Sequence, residues 1–484
     1  MNKELKRVSI VVLAMFVALM VSSTYITGFQ AESLKADPRN SRAILQSYSA
    51  QRGAIVVDGQ AVADSKPVDD QYKFLRTYSD GELYAPVTGY YTLGQGSTGI
   101  ESALNKELSG TSNEQFFDKL NSLLTGKDPE GATVNTTIDA AVQKVAYDAL
   151  GSNTGAVVAI EPSTGKILAM VSKGSYDPNQ LASHDRASVL KAYKTLIADS
   201  SQPLINRAIQ GDLYFPGSTF KLVVAAAAFE SGKYTKASKL DNPATLTLPG
   251  STRKINNAEG GSCGAGKTVT IETALIDSCN IPFAELGAEL GYDRINAMAK
   301  AFGFDSALEI PQRTAESVFP YTDDTATLML QSFGQGSVRE SPLQVAMTTA
   351  TIANGGTEMT PTLIESIVNP DLSTLKSFQA QELGTPISSD TAATLTELMT
   401  EVVNKGTGTN ARISGVDVAG KTGTAENGDG DPYTLWFTGF APAKDPKVAV
   451  AVVVGNGGGQ GQSAVGNTVA APIAKQVMEA VLNK

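Results

Sequence analysis

A serine with a lysine three residues later can support nucleophilic chemistry without histidine or metal, because positions i and i+3 share one face of a helix. Amide acyl transfer of that kind needs a hydroxyl nucleophile, a base that can be neutral when it takes the proton, and donors for the oxyanion. The chain contains one histidine, His184. His-rich zinc sites are therefore excluded, and a Ser-His-Asp triad would have to use that residue. It lies in the polar stretch Ala182-Ser183-His184-Asp185 with no nucleophile motif beside it, which reads as a solvated loop. Neither a metal nor a cofactor is expected.

Ser-x-x-Lys occurs five times, beginning at Ser163, Ser188, Ser218, Ser251 and Ser373, so the pattern alone decides nothing. Context separates the five. Ser218-Thr219-Phe220-Lys221 follows Tyr214-Phe215-Pro216-Gly217, a turn that presents the serine at a helix start, where unpaired N–H groups and the helix dipole favour negative charge. Leu222 to Phe229 is continuously apolar, so the helix must be buried, and burial disfavours the charged form of Lys221. The other four serines fall in turns, loops and polar segments.

Two further motifs occur once each. Ser278-Cys279-Asn280 follows an amphipathic segment from about Ile271 to Ile276 and precedes a probable new helix. A loop there can point a hydroxyl and an amide into a cleft, although an ordinary helix cap explains the triplet equally well. Lys421-Thr422-Gly423-Thr424 lies near the end of a strand beginning around Val416. A lysine, two hydroxyls and a glycine on an edge strand suit a bound carboxylate and an extended peptide, and a strand running into a turn is the plainer alternative.

These motifs need a scaffold. Ala156 to Ile160 and Ile167 to Val171 are apolar runs joined by Pro162-Ser163-Thr164-Gly165, which predicts a hairpin. Val416 to Ala425, Leu435 to Ala441 and Val448 to Val454 predict three late strands, and Ile473, Val477 and Val481 at i, i+4, i+8 a closing helix. The fold class is thus α/β in the α+β sense: a five-stranded antiparallel sheet built from both ends of one domain and flanked by helices. Upstream, Gln51 to Val57 reads as a strand, and Ile100 to Leu108 and Glu114 to Leu124 as helices, giving a small mixed unit without obvious chemistry. Gly455-Asn456-Gly457-Gly458-Gly459 lacks the Lys-Ser/Thr ending of a phosphate loop and reads as a surface turn.

Lys3, Lys6 and Arg7 precede an apolar run from Val8 to about Val21. Both a cleaved signal peptide and an uncleaved anchor have this outline, and the lack of an immediate small-x-small cleavage site favours the anchor. The basic residues place the amino terminus inside and residues 30 to 484 outside. Cys263 and Cys279 fit that compartment, where an even count with a modest loop between them suits a disulfide, and a pair of free buried thiols is the alternative. The formal charge of -10 and the lack of a basic stripe argue against phosphate-backbone binding, so no nucleic-acid partner is expected. The expected domains are 1–30, stub and anchor; 31–135, a linker or dimerisation-like unit; and 136–484, the catalytic domain.

Taken in order, Ser-x-x-Lys, Ser-x-Asn and Lys-Thr-Gly resemble the signature set of penicillin-binding transpeptidases and serine β-lactamases. Gly155 to Pro162, Asn206-Arg207-Ala208, Gly334-Gln335-Gly336 and Trp436 to Pro442 are similar to class B penicillin-binding proteins. With Ala36-Asp37-Pro38-Arg39-Asn40 and Gln51-Arg52-Gly53, the whole chain looks most like the actinobacterial penicillin-binding protein A group. The resemblance implies a D,D-transpeptidase of cell-wall synthesis and cell division. Ser218 would attack a stem peptide ending in D-Ala-D-Ala, and Lys221 would take its proton. Ser278 would pass a proton to the leaving amine, Asn280 would hold the donor amide, and Lys421 would add positive potential. Thr422 and Thr424 would bind the carboxylate beside Gly423, and the backbone N–H groups of Ser218 and Thr424 would form the oxyanion hole.

The same resemblance implies β-lactam binding and a separate glycosyltransferase or divisome partner. A Cys263–Cys279 disulfide would brace the second motif. The alternatives are a D,D-carboxypeptidase and a non-catalytic β-lactam sensor or divisome scaffold.

Overall fold

The computed structural model describes residues 3–30, 34, 48, 50–92, 96–112, 115, 130–211, 213–257 and 260–484. The expected Glu114–Leu124 helix, apart from Gln115, and the Ala36-Asp37-Pro38-Arg39-Asn40 stretch lie outside these residues. Lys3–Tyr25 is an α-helix continued by a π-helical turn, Ile26–Gln30, and none of it is buried. By length and composition it can cross a membrane.

The chain from residue 155 onward is built on a five-stranded antiparallel sheet in the order Ala419–Ala425, Thr434–Ala441, Val448–Val454, Gly155–Ile160, Ile167–Lys173. Strands from both ends of the domain thus meet where Val450 pairs with Ala159. Both faces are covered, so the central strands Val448–Val454 and Gly155–Ile160 are apolar throughout rather than alternating. Side chains still alternate in where they go. Ala449, Ala451 and Val453 join the larger core, into which the Pro342–Ala353 helix packs. Val448, Val450, Val452 and Val454 join a second core closed by the Gly466–Leu482 and Ala140–Leu150 helices. Each buried valine contributes roughly 1.5–3 kcal/mol relative to exposure. Asp139 caps the Ala140–Leu150 helix by accepting from the N–H groups of Ala141 and Val142, both at 3.0 Å.

Two expectations change in detail, and a pair of ribbons is added to them. The Lys-Thr-Gly strand begins at Ala419 rather than Val416, because Val416 closes a turn by donating to Ile413 O at 3.2 Å. Between the helices stand two short ribbons: Lys239–Asp241 paired with Thr268–Thr270, and Thr245–Thr247 paired with Lys254–Asn256. Their polar three-residue strands carry too little apolar patterning to be read from sequence. His184, expected in solvent, bonds through Nδ1 to Asp70 Oδ2 at 2.6 Å, and its side chain is only 12% exposed. The polar sequence around it said nothing of this distant carboxylate.

The amino-terminal sheet crosses the expected domain boundary. Its order is Thr374–Ser377, Ile364–Val368, Thr133–Thr136, Ile55–Val57, Gln60–Pro67, Phe74–Tyr78. Two strands therefore come from beyond residue 360. Glu101 is buried between two arginines, 2.5 Å from Arg52 Nε and 2.6 Å from Arg76 Nε, with Arg52 also donating to Asn105 Oδ1 at 2.7 Å. The Gln51-Arg52-Gly53 stretch thus locks this unit by a hydrogen-bonded ion triad.

Candidate active site

Ser218 sits in a single 3-10 turn, Gly217–Thr219, that runs into the Lys221–Glu230 helix. The turn is held from several sides. Gly217, at φ +54°, donates its N–H to Gly334 O at 3.0 Å. A Cβ on Gly334 would stand 1.9 Å from Gly217 O, so the approach requires glycine. Thr219 Oγ1 donates to Pro216 O at 2.8 Å, and Trp436 Nε1 donates to Phe215 O at 2.9 Å. The serine itself is 9% exposed, at the wall of a cleft of about 620 Å³.

Lys221 has no exposed surface, because every residue from Lys221 to Ala228 is buried and the side chain cannot reach water. Its Nζ donates to Ser278 O at 2.6 Å and to Asn280 Oδ1 at 2.9 Å. A neutral amine has two N–H bonds and one lone pair. In the neutral form these two acceptors use both N–H bonds and leave the lone pair unshared. Burial, and secondarily the charge of Lys421, hold the Lys221 pKa well below the usual lysine range.

Lys421 is equally buried and donates to Ser278 Oγ at 2.7 Å and Thr422 O at 2.9 Å. Burial brings its pKa down to about 7. Ser278 is therefore gripped at its carbonyl by one lysine and at its hydroxyl by the other. It adopts φ +58° to do so, a conformation that costs a non-glycine residue on the order of 1 kcal/mol or more. The turn follows from the chain: Cys279 N–H bonds to Ala274 O at 2.8 Å and ends the Ile271–Ile276 helix, and Asn280 begins the Asn280–Leu290 helix.

The remaining site residues line the same cleft. Thr422 Oγ1 lies 2.8 Å from Thr407 Oγ1, and Thr424 Oγ1 accepts from Gly466 N–H at 3.2 Å. Gly423 serves an internal approach: a Cβ there would meet Trp436 Cβ at 2.9 Å and Pro216 O at 3.0 Å. Cys263 and Cys279 form a disulfide with Cα atoms 5.9 Å apart, and both residues line the cleft. The four other Ser-x-x-Lys serines are all exposed.

Sequence reasoning missed Asn256 and Asn257. Asn257 Oδ1 accepts from the N–H groups of Asn280 at 2.9 Å and Ile281 at 3.0 Å, and Asn257 Nδ2 donates to Gly261 O at 3.0 Å. Asn256 O accepts from Asn280 Nδ2 at 3.1 Å, which fixes the amide so that its oxygen faces Lys221. The only signal was two adjacent asparagines after a polar strand. Thr407 was missed too, in Gly406-Thr407-Gly408. Among the described residues no His, Cys, Asp and Glu cluster could hold a metal.

Residues 155–479 match the penicillin binding protein transpeptidase domain, and residues 52–134 the penicillin binding protein A dimerisation domain. The peptidoglycan D,D-transpeptidase PbpA of Mycolicibacterium smegmatis is 44% identical over all of both chains. That of Mycobacterium tuberculosis is also 44% identical, over all of this chain and 99% of the relative. The solved ceftriaxone acyl-enzyme of M. tuberculosis penicillin-binding protein A is 43% identical and superposes with a TM-score of 0.87, covering 90% of this chain and all of that one. Just over two thirds of the sequence lies in the matched transpeptidase segment, and by it the chain belongs to the penicillin-binding protein transpeptidase family.

Proposed function

We propose that the protein is a peptidoglycan D,D-transpeptidase acting through an acyl-enzyme on Ser218, and that β-lactams acylate the same serine. One observation carries the reading: two buried lysines with lowered pKa values meet on Ser278 at the cleft that holds Ser218. The relatives' names and their β-lactam acyl-enzyme complexes supply the substrate class.

Neutral Lys221 takes the Ser218 proton as Oγ attacks the penultimate D-Ala carbonyl. The backbone N–H groups of Ser218 and Thr424 receive the oxyanion. Ser278 then passes a proton to the leaving nitrogen and is re-supplied by Lys421, so terminal D-Ala departs as a neutral amine. Attack by an acceptor amine on the ester reverses these transfers and forms the cross-link. Thr422 and Thr424, with Lys421, bind the donor carboxylate, and Gly423 lets their strand lie close to the serine turn. Asn280 holds Lys221 through its oxygen, in addition to any bond to the donor amide.

The Lys3–Gln30 helix anchors the chain, with the folded residues on the extracytoplasmic side. Residues 31–135 act as a linker or dimerisation unit and 136–484 as the catalytic domain. Glycan polymerisation falls to a separate glycosyltransferase of the division machinery.

The test is labelling by fluorescent penicillin, wild type against Ser218→Ala, followed by a D-Ala-D-Ala donor peptide with a labelled acceptor amine. Loss of label together with amine transfer supports the reading. Undiminished label in the alanine variant removes Ser218 from its role, and hydrolysis without transfer makes the protein a carboxypeptidase.

A further inference from the structure

The Arg186–Ala198 helix buries only Val189. On that inner side Ala192, Tyr193 and Leu196 pack against Tyr90, Tyr176 and Leu181. Its outer side has a different chemistry. Arg186, Lys191 and Lys194 are exposed and enter no ion pair among the described residues. No acidic residue occurs from 186 to 198, in a chain whose net charge is -10. Leu190 and Ile197, seven residues apart and so on one face, lie between Arg186 and Lys194 on the helix surface, and Ile197 is 60% exposed. Cations flanking exposed aliphatic side chains are the composition of a helix that lies on a charged lipid surface.

The place of the helix agrees with its composition. His184, two residues before it, packs against Tyr48 with ring centroids 6.0 Å apart and against Tyr72 at 4.7 Å. Tyr48 is the point at which the chain coming from the Lys3–Gln30 helix is first seen packed in the folded body. The cationic helix thus begins beside the point where the chain coming from the membrane-length helix enters the folded body. We infer that the outer face of the Arg186–Ala198 helix rests on anionic phospholipid headgroups beside the anchor, fixing the height and tilt of the active-site cleft over the membrane. The inference rests on the anchoring of residues 3–30.

The test uses the full chain with Ile197→Cys carrying an environment-sensitive fluorophore. Cys263 and Cys279 are bonded to each other and take no label. The chain is placed in nanodiscs of phosphatidylglycerol with phosphatidylcholine, or of phosphatidylcholine alone, each containing a spin-labelled lipid quencher. Quenching of about twofold or more is expected with phosphatidylglycerol, falling to the phosphatidylcholine level when Lys191→Glu and Lys194→Glu are combined. Penicillin labelling of that variant should stay unchanged, which shows that it is folded. Equal quenching in both lipids, or none in discs that hold the chain, overturns the inference. Shielding of the probe only after a membrane-protein extract is added assigns the surface to a protein partner and overturns it too. Failure of the chain to enter discs at all removes the anchor, and the inference with it, while leaving the acyl-enzyme reading intact.

Discussion

Lys421 Nζ lies 2.7 Å from Ser278 Oγ, and the hydroxyl it binds belongs to the residue whose carbonyl binds Lys221. The two lysines are electrostatically joined through that one serine. Positive charge on Lys421 disfavours positive charge on Lys221, which is the second cause of the lowered Lys221 pKa.

Acylation by a β-lactam should therefore fall as pH drops through the Lys221 pKa, because the protonated amine cannot take the Ser218 proton. Lys421→Met removes a neighbouring charge, so the surviving activity should show this limb displaced to higher pH. Lys221→Met should lower the acylation rate by about 10²–10⁴-fold, and Lys221→Arg should not rescue it, since a guanidinium stays charged. Stopped-flow acylation rates against pH decide the matter, and an unmoved limb in Lys421→Met would separate the two lysines.

Lys421 should also cost stability. Its pKa is about 7 when folded and about 10.5 when exposed, so between these values the unfolded chain binds the extra proton. This contribution makes stability rise with pH from about 7 toward 10.5, with the whole penalty present below 7. Lys421→Met should accordingly raise Tm at pH 7, by a few kcal/mol in stability, while penicillin labelling collapses. Calorimetry at pH 7 and pH 10 checks this: a variant less stable than wild type at pH 7 counts against it.

Gly334→Ala tests the serine turn from outside all three motifs. The new Cβ would lie 1.9 Å from Gly217 O on a backbone at φ +81°, so the turn must open. Labelling should fall at least about tenfold while the circular dichroism stays native, with a stability loss of about 1–3 kcal/mol. Wild-type labelling would mean that Gly217 does not fix Ser218.

The disulfide and Asn257 hold one loop. Replacing both Cys263 and Cys279 by alanine opens a link between residues 16 apart and should cost about 3 kcal/mol. Asn257→Ala removes the acceptor shared by two helix N–H groups and should cost about 1 kcal/mol. Both should slow acylation, through Asn280 and hence Lys221, more than they weaken initial drug binding. Unchanged acylation in Asn257→Ala would confine that residue to stability.

The parts legible in the sequence are those with a repeating local signal. Val448 to Val454 reads as a strand from its valine-rich run, and the apolar run after Lys221 as a buried helix. Ser218 could be separated from four look-alikes because its burial is announced by the adjoining apolar run, which the four exposed serines lack. Asn257 had no such signal: its bonds to Asn280 and Ile281 reach across 23 and 24 residues of chain. His184 was misjudged for the same reason, its partner Asp70 being 114 residues away. Polar contacts between distant segments follow from the assembled geometry, which periodicity does not encode.

The shared amino-terminal sheet constrains how the chain is made. Thr133–Thr136 is flanked on one side by Ile55–Val57, but its other neighbour is Ile364–Val368. The bond from Asn135 to Ser366 Oγ spans 231 residues. At synthesis rates of about 5–20 residues per second, that edge waits on the order of ten seconds or more for its partner. An unpaired edge is a template for mispairing with another chain. The nascent protein thus passes through a vulnerable interval that ends only when most of the catalytic half has emerged, and shortening the chain before residue 364 would make that interval permanent.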